Sequence, residues 1–152
     1  MPSCFPQGGV RLDRGSNSSI ENNKNMLKTL LVEDNLNYRD VLKSALLNEF
    51  IDLDTREAAN EDEALDIVDT YNPDLIFMDI DLDSGTNGLD LTRKIKVEHP
   101  GIVVVILSQH DISEYRSIAQ KSGADFYFSK STSLESIFDY VSTVIDNKSS
   151  PH

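Results

Sequence analysis

Short apolar runs alternate with segments of helical periodicity along most of the chain. Five runs have the length, and the apolar content or alternation, expected of strands. They cover residues 30–32, 51–54, 75–78, 102–107 and 126–128. The run at 51–54 alternates apolar with acidic residues, which predicts an edge strand with one wet face. The run at 102–107 is the most hydrophobic and predicts a central strand.

Each predicted strand is followed by apolar residues at helical spacing, which indicates an amphipathic helix after every strand. The residues at this spacing, which we expect to face inward, include Tyr38, Val41, Leu42, Leu46, Leu65, Val68, Leu91, Ile95, Ile118, Ala119, Leu134, Ile137 and Val141. Asn60 is the expected N-cap of the second helix, and Thr132 and Glu135 have capping-box spacing before the fifth. Gly123 fits the left-handed position that often follows a helix.

Strands that alternate with helices in this way predict βαβ units, a parallel sheet and helices on both faces. The second and fifth strands are the least hydrophobic, so we expect them at the edges. The predicted fold is therefore a flavodoxin-like (βα)5 three-layer sandwich with a five-stranded parallel sheet of order 2-1-3-4-5. Ligands of such sheets bind at the carboxyl ends of the strands.

The two ends of the chain lack this pattern. Residues 1–26 are rich in Ser, Asn and Gly, and we expect a disordered tail there. One domain is expected over residues 27–147, followed by a disordered end at 148–152.

Composition narrows the functional classes. The 26 acidic and 14 basic residues give a net charge of −12, which opposes direct binding to nucleic acid and suits cation binding. No apolar run approaches the roughly 20 residues that span a bilayer, so we expect a cytoplasmic protein without membrane contact. Cys4 is the only cysteine, which excludes a disulfide framework.

Carboxylates follow two strands that the predicted order makes neighbours. Glu33 and Asp34 come after the first strand, and Asp79 comes after the third. Three clustered carboxylates repel one another unless a positive group joins them. Mg²⁺ prefers such oxygen ligands, so the sequence predicts a magnesium site at this edge. Ser108 and Lys130 end the fourth and fifth strands, where they could contact an anionic ligand.

Four motifs together resemble the receiver domain of two-component response regulators. They are LVEDN at 31–35, LIFMD at 75–79, ILS at 106–108 and GADFYFSK at 123–130. The resemblance implies that Asp79 is the phosphoacceptor for a sensor histidine kinase or phosphotransfer protein. It also implies Mg²⁺ ligands from Glu33, Asp34, Asp79 and the backbone carbonyl of Asp81, and a signalling module instead of an enzyme.

The same resemblance assigns roles to further residues. Ser108 matches the switch hydroxyl, Lys130 the lysine that pairs with the phosphoryl group, and Tyr127 the aromatic residue that turns inward on activation. Asp81 and His110 occupy the positions that tune the lifetime of the phosphorylated state. The surface of the fourth helix, fifth strand and fifth helix is the implied output face, and it could support a homodimer.

Two departures and three alternatives accompany this interpretation. The loop from Asp79 to Gly88 is longer than usual by a single residue, with Asp83 where a proline is common. Ser131 follows Lys130 where many relatives have proline.

A pseudo-receiver that is never phosphorylated is one alternative. A haloacid-dehalogenase-like phosphatase is another, but it leaves Glu33 and Asp34 unexplained. An FMN carrier would suffer repulsion between these acids and the cofactor phosphate.

Overall fold

The structure, a computed structural model, describes residues 26–82, 87–109 and 113–149. Within these ranges five strands alternate with five helices. In chain order they are β1 (Leu27–Val32), α1 (Leu36–Glu49), β2 (Leu53–Ala58), α2 (Glu61–Tyr71), β3 (Leu75–Asp79), α3 (Gly88–Glu98), β4 (Val103–Ser108), α4 (Ser113–Lys121), β5 (Phe126–Ser129) and α5 (Leu134–Ser149).

The five strands form one parallel sheet of order β2-β1-β3-β4-β5, which confirms the predicted topology. The register aligns Val32 of β1 with Met78 of β3. It also aligns Asp79 with Leu107 of β4, and Ser108 with Ser129 of β5. The carboxyl ends of β1, β3, β4 and β5 therefore meet at one edge of the sheet, where the predicted site residues lie.

Alternating side chains of the sheet build a separate core on each face, as the pleat of a strand requires. Helices α2, α3 and α4 cover one face, and their buried contributions are Ala64, Val68, Leu89, Leu91, Ile95 and Ala119. Helices α1 and α5 cover the other, with Leu42, Leu46, Ile137, Val141 and Val144. The central strand β3 is buried throughout, as the unbroken apolar run predicts.

Several local predictions are confirmed. The side chain of Asn60 accepts a hydrogen bond from the Glu63 amide and caps α2, whose first turn holds three acids near the positive end of the helix dipole. Gly123 has φ 96°, a left-handed conformation that a side chain disfavours. It lies two residues after the end of α4 and lets the chain turn into β5.

Other boundaries and packing differ from expectation. Strand β2 begins at Leu53, because Ile51 is 88% exposed and lies in the turn before it. Ser133, and not Thr132, caps α5: its hydroxyl accepts from the Ser136 amide at 3.4 Å. Val41, Ile118 and Leu134 were expected to face inward but are 59%, 45% and 38% exposed.

Helix α5 continues to Ser149, beyond the expected end of the domain at residue 147. Lys148 explains the extension, because its ammonium group binds the Met26 carbonyl at 2.8 Å and Asp74 at 2.7 Å. The last turn of the helix is thereby tied to the start of β1.

Candidate functional site

Three carboxylates converge at the carboxyl edge of the sheet. Glu33 and Asp34 follow β1, and Asp79 is the last residue of β3. One carboxylate oxygen from each lies within 4.8 Å of the other two. Glu33 and Asp79 are only 4% and 5% exposed, while Asp34 is half-buried. The parallel register of two neighbouring strands thus brings together the acids that the sequence placed at strand ends.

Lys130 enters this cluster directly after β5. Its ammonium nitrogen lies 2.8 Å from Oε1 of Glu33 and 3.4 Å from Oδ1 of Asp79. The Lys130 amide donates a 2.6 Å hydrogen bond to the carbonyl of Ser108, which fixes the start of the side chain against β4. Its side chain is 12% exposed, so the ion pairs are largely shielded from water.

The electrostatic environment opposes a charge on Asp79. Burial and the neighbouring Glu33 carboxylate raise the pKa of Asp79 to about 7, against the opposing effects of Lys130 and the Asp81 amide. That amide donates to Oδ1 of Asp79 at 3.3 Å. Additional positive charge near this carboxyl group, such as a bound cation, would favour its ionised form.

The loop after β3 depends on a glycine. A Cβ added to Gly88, the first residue of α3, would lie 2.0 Å from the carbonyl oxygen of Asp79. The Gly88 amide donates to the carbonyl of Ile80 at 2.8 Å, so the start of α3 closes tightly onto the end of β3. Residues 83–86 of this loop, which include Asp83, lie outside the described residues.

A cavity of about 270 Å³ opens over the carboxylates. Its lining residues are Glu33, Asp34, Asn35, Asp79, Asp81, Gln109 and Lys130. The lining is polar, and its charged groups are four carboxylates against one ammonium. Hard oxygen donors with an uncompensated negative charge fit a divalent cation such as Mg²⁺.

A larger groove of about 970 Å³ lies between α2 and α3. It contains Asp69, Glu98 and His99, whose potential ligand atoms also lie within 4.8 Å of one another. Both acids are exposed, however, and water solvates exposed carboxylates well, so these groups do not need a metal ion. The buried cluster at the strand ends is therefore the better candidate site.

The profile of the response regulator receiver domain matches residues 29–142, which include all three carboxylates, Lys130 and every strand after the first residues of β1. The chain belongs to this family. Receiver domains are signalling modules that interact with histidine kinases or phosphotransfer proteins, and the acidic pocket of the family binds Mg²⁺.

Characterised receiver proteins are similar over most of the domain. Chemotaxis protein CheY of Halobacterium salinarum is 33% identical over 118 residues, 78% of this chain and 96% of that protein. Sporulation initiation phosphotransferase F of Bacillus subtilis is 30% identical and covers 80% of this chain and 96% of its own. The chain spans about half (51%) of transcriptional regulatory protein DegU of Brevibacillus brevis, with 29% identity.

Solved receiver structures share the fold. The receiver domain of NtrX from Brucella abortus has a TM-score of 0.71 and 29% identity, over 78% of this chain and 98% of that one. A CheY-like receiver domain from Methanospirillum hungatei, at 22% identity, has a TM-score of 0.72 over 82% of this chain and 97% of its own. Both the expected family and the expected fold are thus confirmed. Among the described residues of this receiver domain, no helix is long and apolar enough to cross a membrane.

The remaining predicted site residues of the receiver domain lie at different depths. Ser108 is fully buried at the end of β4, and the next residue, Gln109, is the one that lines the cavity. Tyr127 is 5% exposed and belongs to the core under α2, α3 and α4, with the Arg116 guanidinium 5.0 Å from its ring. Asp81 is exposed at the cavity rim. His110 lies outside the described residues.

Sequence reasoning missed three neighbours of the receiver site. Asn35 lines the cavity, and its side chain caps α1 by accepting a 3.0 Å hydrogen bond from the Tyr38 amide. Its place in the sequence directly after Glu33 and Asp34 could have indicated that it lies at the site. Gln109 was detectable as the residue after Ser108. Tyr38 was assigned to the core face of α1. Its ring centroid lies 4.7 Å from the Lys130 ammonium nitrogen, and burial and the charges of Glu33 and Asp79 raise its pKa to about 12.

Proposed function

We propose that Asp79 is the phosphoacceptor of this receiver domain and takes a phosphoryl group from a sensor histidine kinase or phosphotransfer protein. The observation that supports the proposal best is the convergence of Asp79 with Glu33, Asp34 and Lys130 at the carboxyl edge of the sheet. A nucleophile, cation ligands and a fixed positive charge are the groups that phosphoryl transfer to a carboxylate needs.

The proposed chemistry is a single displacement at phosphorus. An Oδ atom of Asp79 attacks, a phosphorus–oxygen bond forms, and the phosphorus–nitrogen bond of the donor phosphohistidine breaks. The electron pair of the broken bond stays on the imidazole, which takes a proton from water. Lys130 balances charge on the transferred group, because its ammonium already lies 3.4 Å from Oδ1 of Asp79.

The residues that would hold Mg²⁺ are Glu33, Asp34 and Asp79, with the backbone carbonyl of Asp81 as a further ligand. A bound divalent cation would neutralise charge on the acids and on the phosphoryl oxygens. The chain's own contribution is to hold these ligands on two adjacent strands. The Asn35 amide helps by donating to Oε2 of Glu33 at 3.1 Å.

Phosphorylation would then shift the domain between two states. The Ser108 hydroxyl would close onto the phosphoryl group. Tyr127 already occupies an inward, buried position next to Arg116, and the phosphorylated state would favour this position of the ring. A change from mostly inactive to mostly active needs about 5 kcal/mol of differential stabilisation, which charge-assisted bonds to a phosphoryl group can supply in large part.

Two further roles are proposed on the family resemblance. Hydrolysis of the acyl phosphate would reset the switch, and the side chains of Asp81 and His110 would tune its rate. Signals would leave through the face formed by α4, β5 and α5, which could also support a homodimer. Phe126 on this face is 43% exposed and stacks on Tyr140 with ring centroids 4.9 Å apart.

Intact mass spectrometry after incubation with acetyl phosphate tests the proposal. The wild type should gain one phosphoryl group with Mg²⁺ present and none with EDTA. Asp79→Asn should gain none under either condition. A wild type that stays unmodified, under conditions that label a control receiver domain, would favour the pseudo-receiver. Continuous phosphate release without an adduct would favour a phosphatase.

A further inference from the structure

The ring of Tyr38 forms part of the surroundings of Lys130. The ammonium nitrogen lies 4.7 Å from the centroid of the ring, within the range of a cation–π interaction. The Lys130 side chain is only 12% exposed. Cation–π interactions are strongest where the cation has lost much of its water, so burial of Lys130 strengthens its attraction to the Tyr38 ring.

Tyr38 is held in place without help from Lys130. Its backbone amide donates to Oδ1 of Asn35 in the first turn of α1. Its half-buried side chain packs against the core formed by α1, α5 and the adjacent sheet face, which includes Leu42 and Phe128. The ring is thus a fixed surface, whereas Lys130 carries its charge at the end of a flexible stem.

The ion pairs of Lys130 are unequal. Its nitrogen is closer to Glu33, at 2.8 Å, than to Asp79, at 3.4 Å. Glu33 is also a proposed cation ligand, so cation binding would weaken the shorter ion pair. Of the three close neighbours described above, only the Tyr38 ring has no role in binding the cation.

We propose that Tyr38 is a positioning residue for Lys130: the face of its ring keeps the ammonium group beside Asp79 when Glu33 engages a divalent cation. The inference rests on the proposed function of Lys130 as the partner of the phosphoryl group. It adds a specific requirement, an aromatic side chain at position 38, because an aliphatic side chain offers no electron-rich face.

Phosphorylation rates of three variants test the requirement. With acetyl phosphate and saturating Mg²⁺, Tyr38→Leu should be labelled about three- to tenfold more slowly than wild type, the range expected for loss of a cation–π contact. Tyr38→Phe keeps the ring and should retain most of the rate. Val41→Ala is the matched control, since Val41 lies on the same helix and is 59% exposed. It should match wild type.

A spectroscopic readout and a coupled variant separate positioning from a general effect on folding. Ring currents should shift the Lys130 ε-methylene protons upfield in wild type and Tyr38→Phe, and the shift should vanish in Tyr38→Leu. In a Lys130→Met background, Tyr38→Leu should cause no further slowing.

Two outcomes would overturn the positioning role alone: a wild-type rate for Tyr38→Leu, or an undiminished slowing in the Lys130→Met background. Absence of labelling in wild type would instead overturn the proposed function, and the role of Lys130 with it.

Discussion

At the scale of single residues, the protonation state of Asp79 links stability, cation binding and chemistry. Its carboxyl group is nearly buried and lies beside Glu33, and both features raise its pKa to about 7. The proposed nucleophile attacks in its ionised form, and a bound cation would favour that form. For the same reasons, an ionised Asp79 lowers the free energy of unfolding when no cation is bound.

Asp79→Asn should therefore stabilise the cation-free protein at pH 8. A raised pKa means that the native state holds its proton more tightly than the unfolded state, so stability falls as pH rises from about 4 to about 7. We expect a gain of roughly 1–2 kcal/mol in the free energy of unfolding at pH 8, after allowance for solvent screening through the open cavity. The gain should disappear below pH 4. Urea unfolding with EDTA measures both values.

Added Mg²⁺ provides the control for this prediction. It should stabilise the wild type at pH 8 and have much less effect on Asp79→Asn, because the variant lacks one carboxylate ligand. An equal stability of wild type and variant across the whole pH range would contradict the raised pKa.

Lys130→Met should slow labelling by acetyl phosphate by about 10²-fold, the usual effect of losing one donor to a developing charge. Cation binding should survive, since the proposed ligands remain. Lys121→Met, which removes an exposed lysine at the end of α4, is the matched control and should leave the rate unchanged. A normal rate for Lys130→Met would remove Lys130 from the mechanism.

At the scale of elements, the start of α3 and the end of β3 form one rigid unit. Gly88 lies so close to the Asp79 carbonyl that even a methyl group at this position forces the backbone apart. Helix α3 packs through Leu91 and Ile95 on the core, so it cannot move freely to make room. The position of Asp79 therefore depends on Gly88, although Gly88 has no side chain that could take part in the chemistry.

Gly88→Ala should lower the free energy of unfolding by about 2 kcal/mol or more and slow phosphorylation of Asp79. Gly101→Ala is the matched control, because a Cβ at Gly101 meets nothing within 4 Å. It should change stability by about 0.5 kcal/mol at most. Thermal unfolding and labelling rates distinguish the two variants, and equal behaviour would contradict the tight closure described here.

The elements themselves were predictable where burial dominates. Strands β3 and β4 are apolar along nearly their whole length, and the sequence located them well. Strand β2 was misplaced because it is an edge strand in which only Leu53 and Ala58 are buried, so its pattern carries little information. The end of α5 was missed because Lys148 is held by Asp74 and the Met26 carbonyl, partners remote in the sequence.

At the scale of the whole molecule, β4 and β5 connect the site to the face formed by α4, β5 and α5. Ser108 pairs with Ser129 at the ends of these strands, and the Ser108 carbonyl accepts from the Lys130 amide. Tyr127 lies two residues before Ser129 and is buried beneath α2, α3 and α4. A change at Ser108 can thus reach the packing around Tyr127 through paired backbone.

Ser108→Ala should separate phosphorylation from signalling. The variant keeps Asp79, the proposed cation ligands and Lys130, so it should be labelled by acetyl phosphate. It lacks the hydroxyl that would close on the phosphoryl group, so amide shifts in β5 and α5 on phosphorylation should be much smaller than in wild type. Equal shifts in phosphorylated wild type and variant would contradict the coupling.

The part of the candidate site that lies at strand ends was predictable, because the topology of the whole sheet determines where those ends meet. Parallel strands end at one edge, so the acids after β1 and β3 and the lysine after β5 had to meet once the strand order was known. The ring of Tyr38 beneath Lys130 and the entry of Gln109 into the cavity depend on side-chain direction and helix placement, which the apolar pattern does not encode.

The central claim is that Asp79 itself carries the phosphoryl group, and borohydride trapping tests it most directly. Reduction of the acyl phosphate after incubation with Mg²⁺ and acetyl phosphate should convert one aspartate to homoserine, which peptide mass spectrometry locates. The account predicts homoserine at position 79 and nowhere else, and none in the EDTA control. Homoserine at another aspartate, such as Asp34 or Asp81, or unreduced peptides throughout, would contradict it.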